Sequence, residues 1–332
     1  MAAPAERRRH RATRPPREGS FLRHLRAALA GHSPGERRRS APLLQRRVRR
    51  ALCARRSPGL LSRVPYRALV CDLDGTLLLQ PPDLDPDLVA GCRRAVSRGL
   101  IFCVATGRMP PGAERYLAEL DASGPGIFYN GALVRDSEDG RDLMRLTLPR
   151  GLIWRAHEIF AHAPVNPLFY RDDQLYCLDE SWAARLYSEE QAVPLEVIEQ
   201  PADFLSMGGF VKTLFIGHPE TLPIVRDDLT RTVGEEARFV MTRRDYLEMI
   251  PPTASKGAAL RVVADHLGVP LADIVAVGDQ ENDVEMIRAA GLGVAMPGAP
   301  EAVRNQAGRV APTPDKGGLL ALFREILPEY FD

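Results

Sequence analysis

Carboxylate side chains stand at the ends of apolar segments in this sequence. Asp72 and Asp74 directly follow one apolar run, and Asp279 and Asp283 follow a later one. Two carboxylates two positions apart on an extended backbone can point to the same side. One of them could attack phosphorus and form an aspartyl-phosphate, and the other could act as general acid and base. The plain alternative is a strand end that carries solvated acids, because a lone Asp-x-Asp pair is common.

A third polar cluster, Thr106-Gly107-Arg108, follows the apolar run Ile101–Ala105. In open α/β sheets, ligands bind at the carboxyl ends of the strands. We therefore expect the three clusters to converge at one edge of a sheet. Arg108 could equally contact a substrate there or cap a loop.

The elements that must position these clusters alternate between strands and helices. Pro86–Arg98 is a predicted helix, and Lys256–Leu267 is another. This alternation predicts a parallel sheet with helices on both faces. Residues 149–248 mix helical and extended segments and predict a compact α+β insertion. The predicted fold is thus a doubly wound, Rossmann-like α/β core over residues 63–148 and 249–332, with an inserted α+β domain over 149–248.

The first 62 residues differ from the rest of the chain. Residues 1–65 contain 18 arginines and only three acidic residues, whereas the whole chain has a net charge of only +1. A segment of this composition buries little apolar surface and is predicted to be disordered. We favour a non-structural extension over a nucleic-acid or anionic-surface arm and over a targeting peptide, since arginine runs bind phosphates without specificity.

Cysteine usage and hydropathy indicate the kind of protein. The five cysteines form no Cys-x-x-Cys pair, which predicts buried, reduced thiols in a cytoplasmic protein. No histidine or cysteine spacing is typical of zinc sites, and no segment is long and apolar enough for a membrane span. We expect a monomer or weak homodimer. Lys212, one of only three lysines, is interpreted as a solvated strand residue.

Asp72-Leu73-Asp74-Gly75-Thr76-Leu77 after an apolar strand resembles the nucleophile motif of the haloacid dehalogenase (HAD) superfamily. Three further motifs follow in the family's order, carried by Thr106, by Lys256, and by Asp279 with Asn282-Asp283. Thr106-Gly107-Arg108, the Asn130-Gly131 turn and the segment that leads into Lys256 resemble the Cof-like, type IIB subgroup. The resemblance covers about residues 66–332 and implies that the insertion is a C2B-type cap domain that selects the substrate.

The resemblance also implies an activity: Mg²⁺-dependent hydrolysis of a small phosphate monoester, such as a sugar phosphate or phosphorylated cofactor, through an aspartyl-phosphate. The implied catalytic residues are Asp72 (nucleophile), Asp74 (general acid and base) and Lys256. The implied phosphate- and substrate-binding residues are Thr106, Gly107, Arg108, Asn130 and Gly131. The implied Mg²⁺ ligands are Asp72, Asp74 through its backbone carbonyl, Asp279, Asn282 and Asp283, the last two partly through water.

Two other functions stay open. Phosphomannomutases resemble this architecture and transfer the phosphoryl group to a sugar instead of water. The basic segment 1–62 could instead make the chain a nucleic-acid-associated protein, which we expect only through those residues. Free phosphate, rather than an isomerised sugar phosphate, would favour the hydrolase.

Overall fold

The computed structural model describes residues 66–332, and this part of the chain forms two β-sheets. The strands of the first sheet lie in the order β14-β13-β12-β1-β2-β3-β4-β5, and those of the second in the order β10-β11-β9-β6-β7-β8. The first sheet comprises β1 (Ala68–Asp72), β2 (Ile101–Ala105), β3 (Gly126–Phe128), β4 (Leu133–Arg135), β5 (Asp142–Arg145), β12 (Ile274–Gly278), β13 (Leu292–Ala295) and β14 (Arg309–Val310). The second comprises β6 (Val165–Arg171), β7 (Gln174–Cys177), β8 (Leu195–Val197), β9 (Phe210–Gly217), β10 (Arg238–Arg243) and β11 (Tyr246–Ile250).

The α-helices connect and cover these strands. Among residues 66–332 they are α1 (Pro86–Ser97), α2 (Pro110–Glu119), α3 (Leu152–Phe160), α4 (Trp182–Gln191), α5 (Pro201–Leu205), α6 (Leu222–Val233), α7 (Lys256–Leu267), α8 (Val284–Ala289), α9 (Glu301–Arg304), α10 (Gly318–Ile326) and α11 (Pro328–Phe331). Asp85 caps α1 through its side chain, and Ser255 caps α7 in the same way. The predicted starts of both helices are correct.

The first sheet is buried on both faces, as its continuous apolar strands require. Leu69 and Phe102 on one face pack in a cluster with Phe323 of α10, while Val70 on the other face packs with Leu260 of α7. Parallel strands β12, β1 and β2 lie side by side at the centre. The predicted α/β fold with helices on both faces is confirmed.

One edge of the first sheet departs from the predicted parallel arrangement. Strand β4 pairs antiparallel with β3, and β5 pairs antiparallel with β4. The chain reverses between β3 and β4 at Asn130, whose φ is +56°. The predicted Asn-Gly turn is therefore present, and it adds a short antiparallel edge to an otherwise parallel sheet.

The second sheet is inserted between β5 and α7. Phe169 and Phe215 on one face pack against α3 and α6. Leu168 and Tyr170 on the other face belong to a cluster that includes Tyr129, which directly follows β3 of the first sheet. The last strand of this sheet continues to Ile250, two residues past the predicted boundary at 248, and the boundaries themselves stay a prediction.

Two further findings concern composition. The four cysteines of the described part, at positions 71, 92, 103 and 177, are free and buried. Cys53 and the predicted disordered segment 1–62 lie outside the described residues. None of the helices between residues 66 and 332 combines the length and the apolar character that crossing a membrane needs.

Candidate active site

Three neighbouring strands deliver the polar clusters to one end of the first sheet. Strand β1 ends at Asp72, β2 ends just before Thr106, and β12 ends just before Asp279. Because β1 lies between β2 and β12 and all three are parallel, their carboxyl ends are adjacent. This is the edge where ligands bind in open α/β sheets.

The side chains of Asp72, Asp279 and Asp283 form a buried acidic cluster, with one oxygen from each within 4.8 Å of the others. Lys256 lies against two of them. Its Nζ donates to Asp72 Oδ1 at 2.5 Å and to Asp283 Oδ1 at 2.6 Å, and its side chain is only 1% exposed. The cluster thus contains three carboxyl groups and one ammonium, which pairs with two of them.

Burial, together with the neighbouring charges, shifts the pKa values of the groups in this cluster. Burial raises the pKa of the Asp72 carboxyl, and although Lys256 opposes this, Asp283 and Asp279 add to it. Burial and the neighbouring Asp283 likewise raise the pKa of Asp279. Burial alone would lower the pKa of Lys256, but Asp283 and Asp72 raise it above its ordinary value. A divalent cation would relieve the repulsion among these carboxylates.

Hydrogen bonds and close packing fix the acidic loop after β12, which comprises residues 279–283. Asp283 Oδ2 accepts hydrogen bonds from the backbone N–H groups of Asp279 (2.9 Å) and Gln280 (3.0 Å). Thr76 Oγ1 donates to Asp279 Oδ1 at 3.0 Å. Gly75 has φ +84°, and a Cβ there would lie 2.5 Å from Asp279 Oδ2, so only glycine lets the two loops approach.

Asp74 lies outside the acidic cluster and is held by an arginine. Arg108 Nε donates to Asp74 Oδ2 at 2.8 Å, and Arg108 Nη2 donates to Oδ1 at 2.6 Å. The arginine side chain is 7% exposed and the aspartate side chain 47% exposed. A buried guanidinium therefore holds a carboxylate that is open to solvent. Two roles were considered for Arg108, a substrate contact and a loop cap. The structure shows that Arg108 holds the loop, because it makes a bidentate pair with Asp74 and donates to the Gly112 carbonyl. A substrate contact stays a prediction.

Thr106 is fully buried at the end of β2. Its Oγ1 accepts a hydrogen bond from the backbone N–H of Arg108 at 3.1 Å. Because the hydroxyl oxygen accepts there, its own hydrogen is available to donate to a phosphoryl oxygen. The phosphate contact predicted for Thr106 stays a prediction.

The Asn130-Gly131 turn makes protein contacts rather than facing open space. Asn130 Oδ1 accepts from Asn282 Nδ2 at 2.8 Å, which links the turn to the acidic loop. Gly131 has φ +94°, and a Cβ there would overlap the carbonyl of Ser255 and lie 2.8 Å from the backbone nitrogen of Lys256. The substrate contacts predicted for Asn130 and Gly131, and the metal contact predicted for Asn282, stay predictions.

Sequence reasoning missed one buried pair beside this site. Lys212 is fully buried and pairs with Glu248, so the interpretation of Lys212 as a solvated strand residue is wrong. Two signals in the sequence could have found the pair. Lys212 is one of three lysines and stands inside the apolar strand β9, where an unpaired charge would be costly.

Known proteins resemble this chain in sequence and in fold. The model of the haloacid dehalogenase-like hydrolase family matches residues 69–323. An HMP-PP phosphatase of Yersinia enterocolitica is 30% identical over 231 residues, which cover 70% of this chain and 84% of that protein. A crystal structure from Thermotoga maritima, 29% identical, has a TM-score of 0.68 and covers 76% of this chain and 95% of that chain.

A chloroplastic protein of Arabidopsis thaliana named endoribonuclease YBEY is also similar. It is 29% identical over 277 residues, which make up 80% of this chain. The match covers 47% of the Arabidopsis protein, so the chain spans about half of that relative's length.

Proposed function

Because this chain belongs to the haloacid dehalogenase-like hydrolase family, we propose that it is a Mg²⁺-dependent phosphatase that hydrolyses a small phosphate monoester through an aspartyl-phosphate on Asp72. One observation carries the proposal. Asp72, a buried carboxylate at a strand end, shares Lys256 with Asp283 and lies beside Asp279. A second carboxylate, Asp74, stands two residues away with its own arginine.

The donor set of the acidic cluster fits Mg²⁺. Hard divalent cations prefer oxygen ligands. Three ionised carboxylates and one lysine ammonium have a net charge that one divalent cation would neutralise. The residues that would hold the ion are Asp72, Asp279 and Asp283, with the Asp74 carbonyl and Asn282 as further predicted contacts. When bound, the ion would offset the repulsion between the anionic nucleophile and the phosphate dianion.

In the first step, a carboxylate oxygen of Asp72 attacks phosphorus, and the bond from phosphorus to the ester oxygen breaks. Asp74 gives its proton to the departing alkoxide, so the alcohol leaves neutral. The ammonium of Lys256 and the hydroxyl of Thr106 hold the phosphoryl oxygens as negative charge spreads over them.

In the second step, water attacks the phosphorus of the aspartyl-phosphate. Asp74, now ionised, accepts a proton from this water, and the acyl-phosphate bond breaks. Asp72 is regenerated as a carboxylate, and inorganic phosphate leaves. Both Asp74 oxygens accept hydrogen bonds from Arg108, so one of these bonds must open when Asp74 carries the proton that it gives to the alkoxide, while the other keeps the side chain in place.

We further propose that residues 149–248 act as a cap that selects the substrate. The second sheet is inserted directly between the core elements, and its inner face packs with Tyr129 at the end of β3. The name of the Yersinia relative, HMP-PP phosphatase, supports a small phosphorylated metabolite as substrate. Cytoplasmic location and a monomeric or weakly dimeric state complete the proposal.

The test is phosphate release from a panel of sugar and cofactor phosphates by the full chain, with Mg²⁺ or with a chelator. We expect release to require Mg²⁺ and to fall to background in Asp72→Asn. Asp203→Asn, an exposed position in α5, is the matched control and should keep full activity. Acid quenching after exposure to labelled substrate should trap label on the wild type and not on Asp72→Asn.

Two results would contradict the proposal. Equal release from wild type and Asp72→Asn would exclude Asp72 as nucleophile. Transfer of label to a sugar without free phosphate would make the chain a phosphotransferase instead.

A further inference from the structure

Lys212 of β9 and Glu248 of β11 form a buried ion pair in the second sheet. Lys212 Nζ and Glu248 Oε1 are 3.1 Å apart, and the two side chains are 1% and 6% exposed. The lysine ammonium also lies 4.4 Å from the centre of the Tyr170 ring. A buried ion pair is weak evidence for stability, because desolvation can cancel the attraction. Its neighbours therefore matter more than the pair itself.

Lys212 also contacts the loop that follows β2 of the first sheet. Lys212 Nζ donates to the backbone carbonyl of Gly107 at 2.9 Å. Gly107 lies between Thr106, the proposed phosphoryl-oxygen donor, and Arg108, which holds Asp74. A residue of the inserted sheet thus fixes the backbone of the loop that carries both functions.

The glutamate reaches the same region from the other side. Glu248 Oε2 accepts a hydrogen bond from Asn130 Nδ2 at 2.6 Å, and Asn130 in turn accepts one from Asn282. Asn282 directly precedes Asp283, which binds Lys256. The Asn130 side chain also lies against Gly107, where an added Cβ would be 3.0 Å from Asn130 Oδ1.

We propose that Lys212 and Glu248 are positioning residues for the phosphoryl end of the site. They do not touch the reacting atoms. From the inserted sheet they fix the Gly107 carbonyl and the Asn130 amide, and these set the Thr106 loop against the acidic loop. The inference rests on the proposed phosphatase function and adds that the cap aligns the catalytic loops, besides any contact it makes with the leaving group.

This role predicts a distinctive kinetic pattern. Every phosphate monoester presents the same phosphoryl group to Thr106, whatever alcohol it carries. A misplaced Thr106 loop should therefore lower kcat/KM by the same factor for all alkyl phosphates, whose leaving alkoxides need the proton of Asp74 alike. A residue that contacts the leaving group would give a factor that changes from one substrate to the next.

The test compares the wild type with Lys212→Met/Glu248→Gln in the full chain. The double variant removes both charges together, and the glutamine oxygen can still accept from Asn130. Single Lys212→Met would leave Glu248 buried without its cation and could unfold the protein. Arg155→Met is the control, since Arg155 pairs with Glu236 on the exposed surface of the same inserted domain.

We measure kcat/KM for several alkyl phosphate substrates, affinity for inorganic phosphate with Mg²⁺ by calorimetry, and Tm. The double variant should lose about tenfold to a hundredfold in kcat/KM, since misplacement of about 1 Å costs that much. The factor should be equal across substrates, phosphate should bind more weakly, and Arg155→Met should match the wild type.

A folded double variant with wild-type kcat/KM and phosphate affinity would overturn the inference, and so would losses that differ among substrates. If the wild type binds phosphate without hydrolysing esters, the proposed function fails, but the ratio of phosphate affinities still decides the positioning role. A wild type that does not bind phosphate overturns both.

Discussion

Gly131 offers a sharp test of how the site is packed. Its φ is +94°, and an added Cβ would overlap the Ser255 carbonyl, at the start of the helix that carries Lys256. Gly131→Ala therefore combines two costs. A left-handed conformation costs an L-residue about 1–2 kcal/mol. Forcing a methyl group into packed backbone costs about 1–3 kcal/mol more.

The control is Gly140→Ala. Gly140 has φ +71°, but no atom lies within 4 Å of where its Cβ would be, so only the conformational cost applies. One kcal/mol shifts Tm by about 2–4 °C in a domain of 150–250 residues. We thus expect Gly140→Ala to lower Tm by about 2–8 °C and Gly131→Ala by about 4–20 °C.

Scanning calorimetry with Mg²⁺ present, followed by phosphate-release assays, measures both effects. Gly131→Ala should also lower kcat, because relief of the overlap displaces Ser255 and with it Lys256. Gly140→Ala should keep the wild-type kcat. Equal Tm values and equal kcat in the two variants would show that the turn does not support the helix start, and the packing argument would be refuted.

Two further predictions concern Asp74 and the thiols. Arg108→Gln frees the Asp74 carboxylate, so kcat/KM, which reports the step in which the ester bond breaks, should fall by about ten- to a hundredfold with an alkyl phosphate, whose leaving alkoxide needs the acid. It should fall much less with p-nitrophenyl phosphate, whose leaving group needs no proton, and an equal fall in kcat/KM with both would mean that Arg108 acts elsewhere. Burial raises the pKa of Cys92 and of Cys103 to about 12. In a Cys53→Ser background, a thiol reagent at pH 8 should therefore label neither before denaturation, and peptide mapping that finds label on Cys92 or Cys103 of the native protein would contradict their burial.

Local sequence signals were sufficient for the elements that carry the strand-end clusters. The helix Lys256–Leu267 and the strand Ile101–Ala105 have their predicted bounds, because an N-cap or an apolar run marks each one. Helix Trp182–Gln191 was missed. It buries only Ala184 and Tyr187, so its apolar periodicity is weak. Its Ser181 N-cap was the signal available.

Some residues of the candidate site could be recognised from the sequence, and some of their pairings could not. Asp72, Thr106 and Asp279 were recognisable because each follows an apolar strand that the sequence itself displays. The partner of Asp74 was not, because Arg108 lies 34 positions away and either of two roles suited it equally. A pairing of this kind depends on the order of strands in the sheet, which places the end of β2 beside the end of β1.

The contribution of the inserted sheet lies furthest from what one sequence can reveal. Glu248 meets Asn130 across 118 positions, and Lys212 meets Gly107 across 105. In sequence, Lys212 is a charged residue inside an apolar strand, and Glu248 opens the segment that leads into Lys256, but neither position shows which group its side chain meets. A buried polar side chain without hydrogen-bond partners would be costly in free energy. The partners seen in the structure therefore indicate which groups the side chain holds in place. Here those groups are the Gly107 carbonyl and the Asn130 amide, and both belong to the loops that carry the proposed chemistry.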